Sequence, residues 1–144
     1  MRVINVNFEL NENELITIKA KNGEFKYSPL CTKPTRRISV EEVYEIISRV
    51  FENNRFLKKS RESKNVTPKH FFWFTCMYLR DNNMLDRNIT LLKLKVYKGI
   101  KYNNATVIHG IRKIKYLINN NKYFKSDWER ILIEINKLMC DVYL

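Results

Sequence analysis

The sequence predicts an α+β fold that is mainly α: a helix-turn-helix helical bundle preceded by a small antiparallel β-unit. Apolar residues recur at helical spacing from Ser39 onward, whereas residues 1–30 alternate in the manner of β-strands. Glycine and proline together number only six among 144 residues, which argues against a turn-rich all-β chain. We therefore divide the chain into a β-unit with its connector, residues 1–36, and a helical domain, residues 37–144.

The N-terminal residues have the pattern of two or three short strands. Val3–Phe8 and Leu15–Ile18 are rich in β-branched residues, and Asn22-Gly23 is a strong hairpin signal. A polar, proline-containing connector follows these residues. Because a sheet this small is marginal on its own, we expect it to pack against another element or a partner.

Capping signals indicate where the first two helices begin. Ser39 followed by Glu42 has the form of a capping box, in which each side chain bonds the other residue's backbone N–H. The segment 58–65 is predicted to be a polar, basic loop. Thr67 then suits an N-cap and Pro68 suits the first helical position, so the second helix is predicted to begin there. Apolar residues occupy nearly every face of this helix, which is typical of a helix at the centre of a bundle.

The remaining elements form the predicted helix-turn-helix. A short helix over Ile89–Val96 and a turn at Lys98-Gly99 lead to a helix that begins near Asn103. A second capping box, starting at Ser126, is predicted to open the last helix. Trp128, Ile131, Leu132, Ile135, Leu138 and Val142 give this helix a core-facing side.

The positive charge is concentrated in one segment. Residues 55–115 contain 15 Lys or Arg and 3 Asp or Glu, whereas the rest of the chain contains 12 of each. The whole net charge of +12 therefore belongs to this segment. Uniform compositional drift would not concentrate charge in this way, and a surface that binds a polyanion would.

The polar residues that open the second helix of the motif are candidates for reading DNA. In a helix-turn-helix this helix enters the major groove, and its first-turn side chains reach base edges. Here they are Asn103, Asn104 and Thr106, and asparagine can pair bidentately with adenine. The alternative is that the two asparagines are only an N-cap and its neighbour.

Three blocks of the sequence resemble the C-terminal DNA-binding domain of the bacterial replication initiator DnaA. Residues 103–114 read Asn-Asn-Ala-Thr-Val-Ile-His-Gly-Ile-Arg-Lys-Ile, close to the family signature Asp-His-Thr-Thr-Val-Leu-His-Ala and the Arg-Lys-Ile that often follows. Residues 57–61 resemble the family's basic loop, and residues 66–69 resemble the start of its long central helix. The blocks occur in the family's order, and the resemblance covers about two-thirds of the chain, Val40 to Leu138.

The resemblance implies a role for each matching residue. Lys59 and Arg61 match loop residues that approach the DNA backbone and minor groove, and Lys69 matches a phosphate contact. The four residues that lead the recognition helix into the major groove correspond to Asn103, Asn104, Ala105 and Thr106. His109 matches the signature histidine, for which a packing or capping role is at least as strong an interpretation as a DNA contact. Arg112 and Lys113 are interpreted as phosphate contacts.

The chain also departs from the family pattern. Asn103, Asn104 and Ala105 replace the family's residues at base-reading positions, so a different DNA sequence is expected to be preferred. The turn before the signature reads Tyr-Lys-Gly-Ile-Lys-Tyr in place of Phe-Gly-Gly-Arg. The nucleotide-binding domain that precedes this module in DnaA is not expected, because the sequence has three glycines and no phosphate-binding loop.

The leading hypothesis is a sequence-preferring double-stranded DNA-binding protein that regulates replication or transcription without an ATPase domain. An origin in a phage or mobile element is part of this hypothesis. No stretch is long and apolar enough for a membrane span, and we expect a cytoplasmic, nucleoid-associated protein. The alternative is a protein-interaction module, an initiator mimic or inhibitor, that acts through the β-unit as a partner site or homodimer contact. RNA binding is a third option. Four tyrosines could stack on bases, but they show no platform spacing: Tyr97, Tyr102, Tyr116 and Tyr123.

An enzyme, a metal and a cofactor are not expected. The basic segment has only three carboxylates, and His70 and His109 have no matching nucleophile or ligand cluster. The three cysteines are far apart and include no C-x-x-C, so neither a zinc site nor a disulfide framework is expected. Cys76 lies in an apolar run and is interpreted as a core residue.

Overall fold

Helices dominate the part of the chain that the computed structural model describes, residues 36–140. The elements in chain order are α1 Val40–Val50, α2 Ser63–Asp81, α3 Leu91–Leu94, β1 Val96–Tyr97, β2 Ile100–Lys101, α4 Asn104–Asn120 and α5 Lys122–Cys140. The prediction of a mainly helical α+β fold with a small antiparallel sheet is confirmed. The β-unit predicted for residues 1–36 lies, except for Arg36, outside the described residues, and so does Val142. None of the described helices has the length and apolarity needed to cross a membrane.

The start of α1 has the predicted capping box. The Ser39 hydroxyl accepts a hydrogen bond from the Glu42 backbone N–H at 3.1 Å, and the Glu42 carboxylate accepts from the Ser39 N–H at 2.9 Å. Arg36 pairs with the same carboxylate at 2.6 Å and lowers the pKa of Glu42 to about 2. The capping prediction is therefore confirmed.

The predicted start of the second helix is wrong, because α2 begins at Ser63 and contains Pro68. Proline has no N–H, so the carbonyl of Lys64 four residues earlier receives no helical hydrogen bond from it. The Asn53 side chain takes that place and donates to the Lys64 carbonyl at 2.7 Å. Thr67 is consequently a helical residue, and the basic loop ends at Glu62, earlier than predicted.

The central position predicted for this helix is confirmed. α2 packs against α1 and α4, and α5 packs against both of those helices. Phe74 of α2 also meets Trp128 of α5 edge to face, with ring centroids 4.9 Å apart.

Cys76 is fully buried with a free thiol, as predicted. Cys140, in contrast, is disulfide-bonded, which contradicts the expectation for the cysteines. The largest fully buried side chains are Trp73, Trp128, Phe56, Phe71, Phe72, Phe74, Ile38, Ile46, Ile47 and Leu79.

A β-hairpin separates the two helices of the predicted helix-turn-helix. β1 and β2 pair antiparallel, with Val96 opposite Lys101. The turn predicted at Lys98-Gly99 is the tip of this hairpin, and both residues have positive φ, 52° and 77°, as a tight two-residue hairpin turn requires. The helix predicted over Ile89–Val96 is shorter than predicted and covers only Leu91–Leu94, whereas Val96 belongs to the first strand.

The last helix begins earlier than predicted. α5 starts at Lys122, so Ser126 is a helical residue and not a cap. The Asn121 side chain accepts from the N–H groups of Tyr123 and Phe124, at 2.9 and 3.3 Å, and so caps α5 directly after α4 ends. The predicted core-facing residues Trp128, Ile131, Leu132 and Ile135 are buried, and Leu138 is partly buried.

Candidate nucleic-acid interface

The first turn of α4 presents exposed side chains beyond a well-formed cap. The Asn103 side-chain oxygen accepts from the backbone N–H of Thr106 at 2.8 Å, so Asn103 is the N-cap. The capping interpretation therefore holds for this residue. Asn104, Ala105 and Thr106 follow as exposed helical residues. These three side chains are free to meet a ligand at the helix end, where the helix dipole is positive.

An open groove of about 520 Å³ brings together residues from three separate stretches of the sequence. It lies between the basic loop, the beginning of α2 and the beginning of α4. Five of its lining residues are ones that the sequence predicts as DNA contacts: Lys59, Arg61, Lys69, Asn103 and Thr106. The groove is lined by Lys59, Ser60, Arg61, Val66, Lys69, His70, Tyr102, Asn103 and Thr106. Arg112, Lys113 and His109 are exposed farther along α4.

Tyr102 connects the basic loop to the beginning of α4. Its hydroxyl lies 2.7 Å from the carbonyl of Leu57 and 3.1 Å from that of Lys58, and its own N–H donates to the Lys95 carbonyl at 2.8 Å. The Lys59 ammonium lies 5.4 Å from the centre of its ring. The sequence suggested Tyr102 only as a base-stacking residue. Its position directly before the N-cap was the one local signal for a positioning role.

Lys69 lines the groove but is almost completely buried beneath this connection. Its ammonium donates to the Lys58 carbonyl at 3.0 Å and lies 4.7 Å from the centre of the Tyr102 ring. Burial, and then the charge of Lys59, lower its pKa. Only 4% of Lys69 is exposed, and its ammonium supports the loop. The phosphate contact implied by the family resemblance stays a prediction.

The packed histidine of the region is His70, whereas His109 is exposed. The His70 ring stacks on Trp73, with centroids 5.8 Å apart, and lies against Gly110 of α4. Burial is the main reason why the pKa of His70 falls to about 4, and the positive charges of Lys113 and Lys69 add to it. The sequence contained no signal for this contact, because the two residues are 40 positions apart.

Comparison with known proteins does not identify the chain. No family model matches it, and no solved structure matches it. The resemblance to the DnaA domain stays a prediction that rests on the three motif blocks. Among residues 36–140 there is also no group of three or more His, Cys, Asp or Glu side chains placed to hold a metal ion.

His70 is expected to make the folded state sensitive to mild acid. Its pKa is near 4 in the folded protein and 6.5 in an unfolded chain, so the unfolded state binds more protons between these values. Stability should therefore fall as the pH is lowered from about 6.5 towards 4, and this group should add no further loss below that. Urea unfolding of the wild type and His70→Gln across this range measures the effect. Equal slopes for the two proteins would contradict the prediction, since all other titrating groups are common to both.

Proposed function

We propose that this protein binds double-stranded DNA with a sequence preference and regulates replication or transcription at the nucleoid. The observation that carries the proposal is the shared groove. Exposed cations of the basic loop, Lys59 and Arg61, lie beside the residues that open α4. A surface that combines cations with an exposed helix N-terminus has the two parts that duplex recognition needs, one for phosphates and one for base edges.

The two parts have different physical tasks. Lys59 and Arg61 neutralise phosphates and release counterions, which gives affinity that depends on salt but not on sequence. Asn104 and Thr106 carry hydrogen-bonding groups at the exposed start of α4, and Ala105 offers a methyl group for a thymine. Arg112 and Lys113 extend the positive surface along α4. Asn103 contributes as the cap that fixes the helix end.

The first experiment is selection of binding sites from a random duplex pool, followed by the salt dependence of the winning site. We expect an enriched motif and a slope of log K against log salt near −5, if about six phosphates are neutralised. Weak binding that is insensitive to salt would refute the proposal. Tight binding without an enriched motif would refute its sequence preference.

Single substitutions separate the two parts of the interface. Asn104→Ala should change or remove one position of the motif, at a cost of about 1–3 kcal/mol in discrimination, and leave the salt slope unchanged. Lys59→Gln with Arg61→Gln should reduce the slope by up to about two and leave the motif unchanged. Arg87→Gln with Lys93→Gln, two exposed cations beyond the C-terminal end of α2, is the matched control for charge. The alternative role of the N-terminal β-unit concerns residues outside the described part and stays a prediction.

A further inference from the structure

A second groove lies on the other side of the basic loop, where the end of α1 meets the beginning of α2. Its volume of about 670 Å³ is within the usual range for ligand sites. Four cations line it, Arg49, Arg55, Lys58 and Lys64, against one carboxylate, Glu52. The groove thus has a strongly positive lining that the proposed recognition surface does not use.

Most of this charge is available to a ligand. The Arg49 guanidinium pairs with the Glu134 carboxylate at 3.2 Å. The Lys64 ammonium lies 4.0 Å from the Glu62 carboxylate, which is the limit of an ion pair. Arg55 and Lys58 are exposed, and their side chains form no ion pair with any residue of the described segment 36–140. Two unpaired cations and a third that is only weakly paired, on one concave surface, attract an anion with more than one charge.

Hydrogen bonds hold the floor of this groove and join it to the first one. The Asn53 amide donates to the Lys64 carbonyl and, at 2.8 Å, to the side-chain oxygen of Asn65. Asn65 is buried and donates in turn to the Ser60 hydroxyl at 3.1 Å. Ser60 lines the first groove, so the short segment from Lys58 to Ser60 is a wall common to both. On its other side the Lys58 carbonyl accepts from Lys69.

We propose that this second groove binds the sugar–phosphate backbone of the DNA duplex beyond the segment read by α4. The inference rests on the proposed function and extends its footprint. The two grooves are continuous through their shared wall, so one duplex could contact both, which favours nucleic acid over an acidic protein. The residues that line the second groove also favour nucleic acid, because a protein partner would need a cluster of apolar anchors. Phe51 is the one large apolar side chain among the residues that line this groove.

The test removes three charges from the groove. The variant is Arg55→Gln, Lys58→Gln and Lys64→Gln, and all three side chains are exposed.

The control is Arg37→Gln, Arg87→Gln and Lys93→Gln, which removes the same charge. Arg37 of this control donates to the Asn83 carbonyl at 3.0 Å, just beyond the C-terminal end of α2, and so lies away from the groove. The probe is the selected duplex with flanking DNA, measured by salt-dependent binding and hydroxyl-radical footprinting. Thermal unfolding confirms that both variants are folded.

We expect the groove variant to reduce the salt slope by about two to three and to shorten the footprint at one edge, with the selected motif unchanged. The control should retain the wild-type slope and footprint. An unchanged slope and footprint in the groove variant would overturn the inference while leaving the proposed function intact, and would be the result if the groove takes an acidic protein. Equal losses in both variants would overturn it as a general charge effect. Failure of the wild type to bind duplex DNA would instead refute the proposed function, and the inference with it.

Discussion

Substitution of Gly110 by alanine is expected to lower the free energy of unfolding by about 2–3 kcal/mol, as overpacking a tight contact does. A Cβ atom at this position would lie 2.6 Å from Cδ2 of His70 and 3.0 Å from Nε2. Moving away from residue 110 would cost the ring its stacking contact with Trp73 and part of its burial. α4 or the ring must therefore shift. Urea unfolding monitored by circular dichroism measures the loss.

The sign of the effect makes this substitution informative. In an ordinary helix interior, replacing glycine by alanine stabilises a protein by about 1 kcal/mol. A double-mutant cycle with His70→Ala isolates the contact, because Gly110→Ala should be neutral or stabilising once the ring is removed. Equal destabilisation in both backgrounds would show that the His70 ring is not the cause.

The contact at Gly110 also bears on the proposed interface. The same helix presents Asn104 and Thr106 at its exposed end and rests on α2 through Gly110. Because the absence of a side chain at residue 110 permits this close approach, it sets how near α4 lies to the loop that carries Lys59 and Arg61. A larger residue at this position would move the start of α4 away from the basic loop, although both must contact the same duplex in the proposed function.

Local signals in the sequence predicted those features of the fold that depend on neighbouring residues. The capping box of Ser39 and Glu42 and the cap at Asn103 each join residues three positions apart, and the turn at Lys98-Gly99 depends on the backbone of those two residues alone. The run of residues that is apolar nearly all round likewise identified the central helix, since a helix without a polar face must be covered on all sides.

The errors at helix starts arise from hydrogen bonds that the local pattern does not contain. The local pattern at Pro68 predicts a first helical residue. The carbonyl of Lys64, which Pro68 leaves without a helical partner, instead accepts a hydrogen bond from Asn53, 11 positions before Lys64. The local pattern at Ser126 predicts an N-cap, but Asn121 lies five residues earlier and already caps the same helix. In the candidate site, the charged loop and the start of α4 were predicted, because charge and capping are visible in sequence. The roles of His70 and Tyr102 were not, because they depend on contacts across 40 or more positions.

Tyr102→Ala is expected to have the second large effect, a loss of about 2–3 kcal/mol in stability together with weaker DNA binding. The substitution removes the edge-to-face contact with Trp73, whose ring centroid is 5.1 Å away, and the ring against which the Lys69 ammonium lies. It also removes the hydroxyl that holds the carbonyls of Leu57 and Lys58. The basic loop should then lose its fixed position relative to α4.

Tyr102→Phe separates the hydrogen bonds from the ring. It should cost about 1 kcal/mol, the usual net value of such bonds, and should speed hydrogen exchange in residues 58–61 while the rest of the chain keeps its protection. Tyr116→Phe is the matched control, because Tyr116 is 65% exposed on α4. If Tyr102 positions the loop for DNA, Tyr102→Phe reduces affinity and leaves the selected motif unchanged, since Asn104 and Thr106 are untouched. Wild-type affinity with a faster-exchanging loop would instead show that the loop is ordered by the DNA itself, and that the hydroxyl serves only the stability of the free protein.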